Sequence, residues 1–133
     1  MKLSILTPSK KLVTEVESSE VFVPGVEGEI EILPDHASFL TELETGVVRW
    51  KDEAGSWGVA AISYGWLEVL DNKISILADV GELASHIDEA RAKKAETIAF
   101  QKVTEGGMSD EDYKKHELKL KRAISRLTAS KLN

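Results

Sequence analysis

Ile74-Ser75-Ile76-Leu77-Ala78-Asp79 and, a few positions on, Ile87-Asp88-Glu89-Ala90-Arg91-Ala92-Lys93-Lys94-Ala95 lie on either side of a change of pattern near residue 84. The first is a short β-type run, its isoleucines two apart, which is the period of a strand. The second is rich in alanine and lysine, and its apolar positions fall at helical spacing. The chain before the change keeps the first pattern, and the chain after it keeps the second. This predicts an all-β sandwich over residues 1–84 followed by an antiparallel α-helical hairpin over residues 85–133, α+β overall.

Toward the N-terminus, Leu3 to Leu6 reads as a first strand, stopped by Thr7-Pro8. Leu12 to Val16 and Glu20 to Val23 read as two pieces separated by Ser18-Ser19. Gly28-Glu29-Ile30-Glu31-Ile32 alternates strictly and is closed by Pro34-Asp35. Phe39 to Leu43, Val47 to Trp50, Trp57 to Ile62, Trp66 to Leu70 and Ile74 to Leu77 follow. Turns are expected at Pro24-Gly25, Gly46, Asp52 to Gly55, Gly65 and Asp71-Asn72. Short strands with frequent turns argue for an antiparallel sandwich or barrel, and no helix-length pattern interrupts them to make a parallel sheet.

Toward the C-terminus, a first helix is expected from about Ile87 to Val103, with Ser85 as N-cap and Asp88 and Glu89 near its positive end. Ala92, Ala95, Ala99 and Val103 form a stripe of small residues that admits a close neighbour. Gly106-Gly107 ends the helix, because glycine takes the left-handed cap at little cost. Ser109 opens a second helix, with Asp110, Glu111 and Asp112 in its first turn. Tyr113, Leu120, Ile124 and Leu127 make its apolar stripe, and the short connection predicts an antiparallel pair.

Composition narrows the function classes. The 133 residues hold 42% hydrophobic and 30% charged side chains, ordinary for a soluble globular protein. No apolar run approaches the roughly 20 residues needed to span a bilayer, and the start is too short and too soon broken by Pro8 to read as a signal peptide. With 0 cysteines there is no disulfide, thiolate zinc site or cysteine nucleophile. The net charge of −6 is unevenly spread. Residues 1–84 carry 6 Lys/Arg against 15 Asp/Glu, and residues 109–133 carry 7 against 4. An acidic body repels phosphates, so nucleic acid is not an expected partner, whereas the basic tail suits an acidic protein surface.

No catalytic constellation is legible. His36, His86 and His116 lie far apart and form no metal-ligand pair, and neither a nucleophile elbow nor a phosphate-binding glycine loop is present. Lys115, Lys119, Arg122 and Arg126, however, are spaced by four, three and four, which places one basic stripe along the second helix. The plain reading is a solvated cationic face. The sharper one is a carboxylate or phosphate partner, because guanidinium groups bind these through paired hydrogen bonds.

Gly28-Glu29-Ile30-Glu31-Ile32-Leu33-Pro34-Asp35-His36, Gly65-Trp66-Leu67-Glu68-Val69, Ile74 to Asp79, and Ile87-Asp88-Glu89-Ala90-Arg91-Ala92 resemble, in this order and spacing, the epsilon subunit of F-type ATP synthase. The resemblance covers nearly the whole chain. It implies a sandwich of about ten strands (within the size range of such folds) bound to the gamma subunit and to the membrane rotor ring. It implies a hairpin that folds onto the sandwich or extends toward the catalytic alpha/beta head, where it hinders ATP hydrolysis. No catalytic residue and no metal are implied. Ring contact is carried onto the turn at Gly28, Glu29 and Glu31, near His36, and head contact onto Lys115, Lys119, Arg122 and Arg126. The implied place is peripheral, on the cytoplasmic face of a bacterial plasma (inner) membrane.

Some bacterial members bind regulatory ATP in the folded hairpin, although no cofactor is required. By resemblance Glu82, Ile87, Asp88, Arg91 and Ala92 hold the adenosine, and Arg122 and Arg126 the phosphates. The spacing turns the Arg122/Arg126 face away from the stripe expected against helix one. The two halves are therefore expected not to converge unless the helices pack off-centre on Leu118 and Leu132. The chain also departs from the family pattern. Ile98 stands where strong nucleotide binders carry arginine. Glu31, Asp35 and Tyr64 stand where glycine is common, and Ser38 where proline is common. An alternative of another class is a free-standing ligand-binding β-sandwich with the hairpin as a lid.

Overall fold

The computed structural model describes residues 1–133. Seven strands come first: β1 (Lys2–Leu6), β2 (Lys11–Gly25), β3 (Gly28–Ile32), β4 (Phe39–Leu43), β5 (Gly46–Asp52), β6 (Trp57–Leu70) and β7 (Lys73–Leu83). A short 3-10 turn at Ala84–His86 leads into helices α1 (Glu89–Glu105) and α2 (Asp110–Leu132). The sandwich-plus-hairpin expectation holds. Its inner layer is a cluster of 16 buried residues, among them Leu3, Ile5, Val21, Val23, Ile32, Leu43, Leu67 and Ile76.

The strands close on themselves. β1 pairs antiparallel with β2 and parallel with β7, β2 pairs with β5, β5 with β6, and β6 with β7. β3 flanks β2, and β4 flanks the far half of β6. No sequence pattern foretold the β1–β7 pairing, because it joins the two ends of the body.

Two expected breaks are not breaks. Residues 11–25 form one strand, and so do residues 57–70; the structure has seven strands rather than about ten. In β2, Glu15 adopts φ 46 and the pairing with β1 shifts there, with Ser4 Oγ accepting from Glu15 N–H at 3.0 Å. A second shift lies between Ser18 and Glu20. In β6, Tyr64 adopts φ 52, and the in–out alternation reverses, so that Ile62 and Leu67 are both interior. A residue in the left-handed region turns the ribbon over without ending its hydrogen bonding. Two half-strands with opposite frames therefore read as two strands.

Tyr64 and Asp35 both stand where the resembled family commonly has glycine, and both have positive φ (52 and 63). Aspartate tolerates that region when its side chain is held locally. Here Asp35 N–H donates to Asn72 Oδ1 at 2.8 Å, and Asn72 Nδ2 donates back to Asp35 Oδ1 at 3.1 Å. The pair ties the loop after β3 to the β6–β7 turn.

Helix boundaries follow capping chemistry. Asp88, not Ser85, caps α1, its Oδ1 accepting from Arg91 N–H at 3.1 Å. Ser85 lies inside the 3-10 turn, where it has no helix to cap. Ser109 caps α2 as expected, accepting from Asp112 N–H at 3.2 Å. Gly106 and Gly107 take φ 71 and 75 to turn the chain between the helices.

Candidate functional site: the seat of the hairpin

α2 carries most of the contact between hairpin and sandwich, lying over β6, β5 and the 3-10 turn. The seat is made of small residues. Val59, Ala61, Ala84 and Ala129 are buried together, with Val47 and Ile87 partly covered beside them. Alanine and valine hide little apolar surface, so at about 25 cal/mol per Å² this contact contributes on the order of a few kcal/mol. The hairpin is thus held far less firmly than the strands are held to one another.

The buried side of α2 is not the expected one. Ala123, Ser125, Leu127 and Ala129 are buried, whereas Tyr113 and Ile124 are exposed, so of the stripe Tyr113–Leu120–Ile124–Leu127 only Leu127 is fully covered. On α1, Ala92 and Ala99 are buried and Ala95 is not. α2 is rolled so that its small residues face both the first helix and the sheet.

That roll decides where the basic stripe goes. Arg122 Nε donates to Ser63 Oγ at 2.7 Å, and Arg126 Nε donates to Glu82 Oε2 at 3.0 Å, each binding α2 to the sheet. Both arginines also line a crevice of about 340 Å³ between the helices, with Ala95, Ile98, Ala99, Lys102, His116 and Lys119. The expectation that this face turns away from helix one is therefore wrong. The helices do pack off-centre, though not on Leu132, which stays 48% exposed. Lys115 and Lys119 remain exposed on the outer part of the stripe.

The residues assigned to a nucleotide divide in two. The phosphate half is cationic and gathered, since Lys102, Lys119, Arg122 and Arg126 share one crevice without a carboxylate in its lining. The adenosine half is committed to the chain's own packing. Glu82 holds Arg126, Asp88 caps α1, Ala92 is 0% exposed and Ile87 rests on the seat; Arg91 is free on the surface. The cradle suits a phosphate group better than a nucleoside.

The residues expected to face the ring are also divided. Gly28 and Glu29 open β3 and line a groove that includes Lys121, Ile124 and Thr128 of α2. His36 lies beyond the other end of β3, its ring 5.0 Å from that of Phe39. Gly28 and His36 are thus separated by the strand, because β3 is a straight five-residue run and not a turn. Glu31 is exposed midway, opposite Phe22.

Sequence reasoning missed Ser63, the buried hydroxyl that receives Arg122 and also meets Thr45 Oγ1 at 3.2 Å. A serine on the outer face of a strand carries no signal until the helix above it is placed.

The Glu82–Arg126 pair is under a third exposed at each side chain. We expect Glu82→Gln to weaken the seating by about 1 kcal/mol. Hydrogen exchange of the α2 amides from Ala123 to Ala129 should then quicken roughly fivefold while that of the sandwich core is unchanged. Equal exchange in both proteins would show that the pair does not hold the hairpin.

Known proteins place this arrangement. The β-sandwich domain family of the ATP synthase delta/epsilon chain matches residues 1–84, and the long α-helix domain family of the same chain matches residues 85–131. The chain belongs to the ATP synthase delta/epsilon family. The epsilon chain of Desulforamulus reducens is 39% identical over 129 residues, spanning 97% of this chain and 96% of that one. The epsilon chain of Herpetosiphon aurantiacus is 39% identical over 132 residues, spanning 99% and 95%. The same fold is seen in a chain of the Euglena gracilis mitochondrial ATP synthase OSCP/F1/c-ring structure, with TM-score 0.84, 19% identity, and 100% and 81% of the two chains covered. A chain of the Tetrahymena thermophila mitochondrial ATP synthase central stalk and c-ring gives TM-score 0.66 at 17% identity, covering 98% and 96%. Both of these epsilon-chain relatives span the sandwich and the hairpin of this chain together.

Proposed function

We propose that this protein is a non-catalytic subunit of the central stalk of an F-type ATP synthase. It binds the gamma subunit and the membrane rotor ring, couples proton-driven rotation to ATP synthesis, and restrains ATP hydrolysis when its hairpin leaves the sandwich for the alpha/beta head. Its place is peripheral, on the cytoplasmic face of the membrane; no helix is long and apolar enough to cross one. A regulatory phosphate-bearing ligand is compatible with the crevice at Arg122 and Arg126.

One observation carries the inhibitory reading. The hairpin rests on alanine and valine and is tied by Arg122 and Arg126, which are the C-terminal half of its basic stripe. These tethers can be exchanged for acidic groups elsewhere at little net cost, because one charge-assisted bond replaces another. Inhibition then requires only that the extended state be stabilised relative to the seated one.

Two variants should move hydrolysis in opposite directions. Glu82→Gln loosens the seat and leaves the stripe intact, so inhibition should deepen about twofold or more. Arg122→Glu with Arg126→Glu loosens the seat but reverses the charge offered to the head, so inhibition should weaken, most at low salt. ATP hydrolysis by enzyme reconstituted with each variant is the measurement, and a shift of both in the same direction would refute the proposed role of the arginines.

A further inference from the structure

Leu33-Pro34-Asp35-His36 closes into a turn, with His36 N–H donating to Leu33 O at 3.2 Å. Proline at its second place and a positive φ at its third, 63 at Asp35, are the marks of a type II turn, whose third place ordinarily belongs to glycine. Aspartate there costs about 1 kcal/mol that glycine would not. A residue at such an angle persists only where its surroundings hold it.

The hold comes from outside the turn. Leu70 pairs with Lys73, so Asp71 and Asn72 form the tight loop between β6 and β7, and their φ of 50 and 58 suit a loop of that length. Asn72 is itself fixed to the sheet, because Lys2 N–H donates to Asn72 O at 2.9 Å. From that anchor its side-chain amide grips Asp35 twice, Oδ1 accepting from the backbone N–H and Nδ2 donating to the carboxylate. Nothing of the chain covers the outer side of the turn: residues 33–38 are all exposed, Leu33 by 48%. A leucine, a proline and an imidazole are thus displayed on a turn that is fixed before any partner arrives. A contact segment already held in one shape loses less freedom on docking. We propose that Asn72 is a positioning residue for the rotor, holding this turn in the shape that offers Leu33 and His36 to the membrane ring. It acts through Asp35 and not by touching the ring. The proposal rests on the ring-binding part of the stalk reading.

The test uses the whole enzyme in membrane vesicles, rebuilt with each form of the chain, and reads ATP-driven proton pumping per ATP hydrolysed. Asn72→Asp keeps the β6–β7 loop, because aspartate also tolerates positive φ, but it removes the Nδ2 donor and sets carboxylate against carboxylate. Pumping per ATP should fall about threefold, while the melting temperature of the free protein stays within about three degrees of wild type. Adding Asp35→Gly to Asn72→Asp should restore pumping, since glycine holds a type II turn unaided. If vesicles without this subunit pump as well as complete ones, the stalk reading falls, and this proposal with it. If they do not, and Asn72→Asp pumps like wild type, the proposal falls and the stalk reading survives. A loss that Asp35→Gly fails to restore would also overturn it, as would absence of the Asn72→Asp subunit from the vesicles by immunoblot, because either result places the effect of Asn72 outside the turn.

Discussion

Removing Ser85–Asn133 is expected to raise ATP hydrolysis by the assembled enzyme about tenfold while leaving assembly intact. The sandwich should survive the cut, because none of the 16 residues of its main core belongs to the hairpin. What the cut exposes is the seat, chiefly Val59, Ala61 and Ala84, and these small side chains add little apolar surface. The size of the effect follows from the population of the extended hairpin. A bias of about 1.4 kcal/mol toward the blocking state leaves roughly one complex in ten free to hydrolyse, and without the hairpin all are free. Steady-state hydrolysis by complexes rebuilt with full-length and truncated chains measures this. Unchanged hydrolysis in an intact truncated complex would remove the inhibitory role and leave the structural one.

The second large effect concerns Gly65, at the frame reversal in β6. A methyl group there would lie 2.2 Å from Leu77 O and 3.0 Å from Ala78 Cα. Both obstacles are backbone of β7, so no side chain can swing aside, and relief requires β6 and β7 to part where they are paired through Gly65 and Ala78. Overpacking of this kind costs about 3 kcal/mol. Gly65→Ala should therefore lower the melting temperature by about 10 °C or more. A melting temperature within about two or three degrees of wild type, the scatter of a neutral surface change, would mean that the strands separate there more easily than their pairing suggests.

The sequence made the two-part layout legible because strand and helix periods differ, and the chain changes from one to the other only once. β3, β4 and the cap at Ser109 are where alternation and capping rules put them. The continuity of β2 and β6 was hidden because Glu15 and Tyr64 adopt positive φ with side chains that give no glycine signal. In the hairpin, the spacing of the basic stripe was legible and its direction was not. The eye follows Tyr113, Leu120 and Ile124, whereas the covered face is built from Ala123, Ser125 and Ala129. Residues with short side chains are weak in any hydrophobicity pattern, yet they are what permits close approach. Glu82 and Ser63 could not be joined to the arginines from sequence, because 44 and 59 positions separate each pair.

In the proposed inhibitory role, the alanine seat would make the strength of the brake separately adjustable. Where a regulatory arm is anchored by the main core, changing its grip changes the stability of the whole body. Here one methyl more or less at Ala61 or Ala129 alters the parking of the arm by a fraction of the total and leaves the inner layer untouched. Lineages facing different energy supplies could then reset their idle losses by single codon changes, with the rest of the machine unaltered.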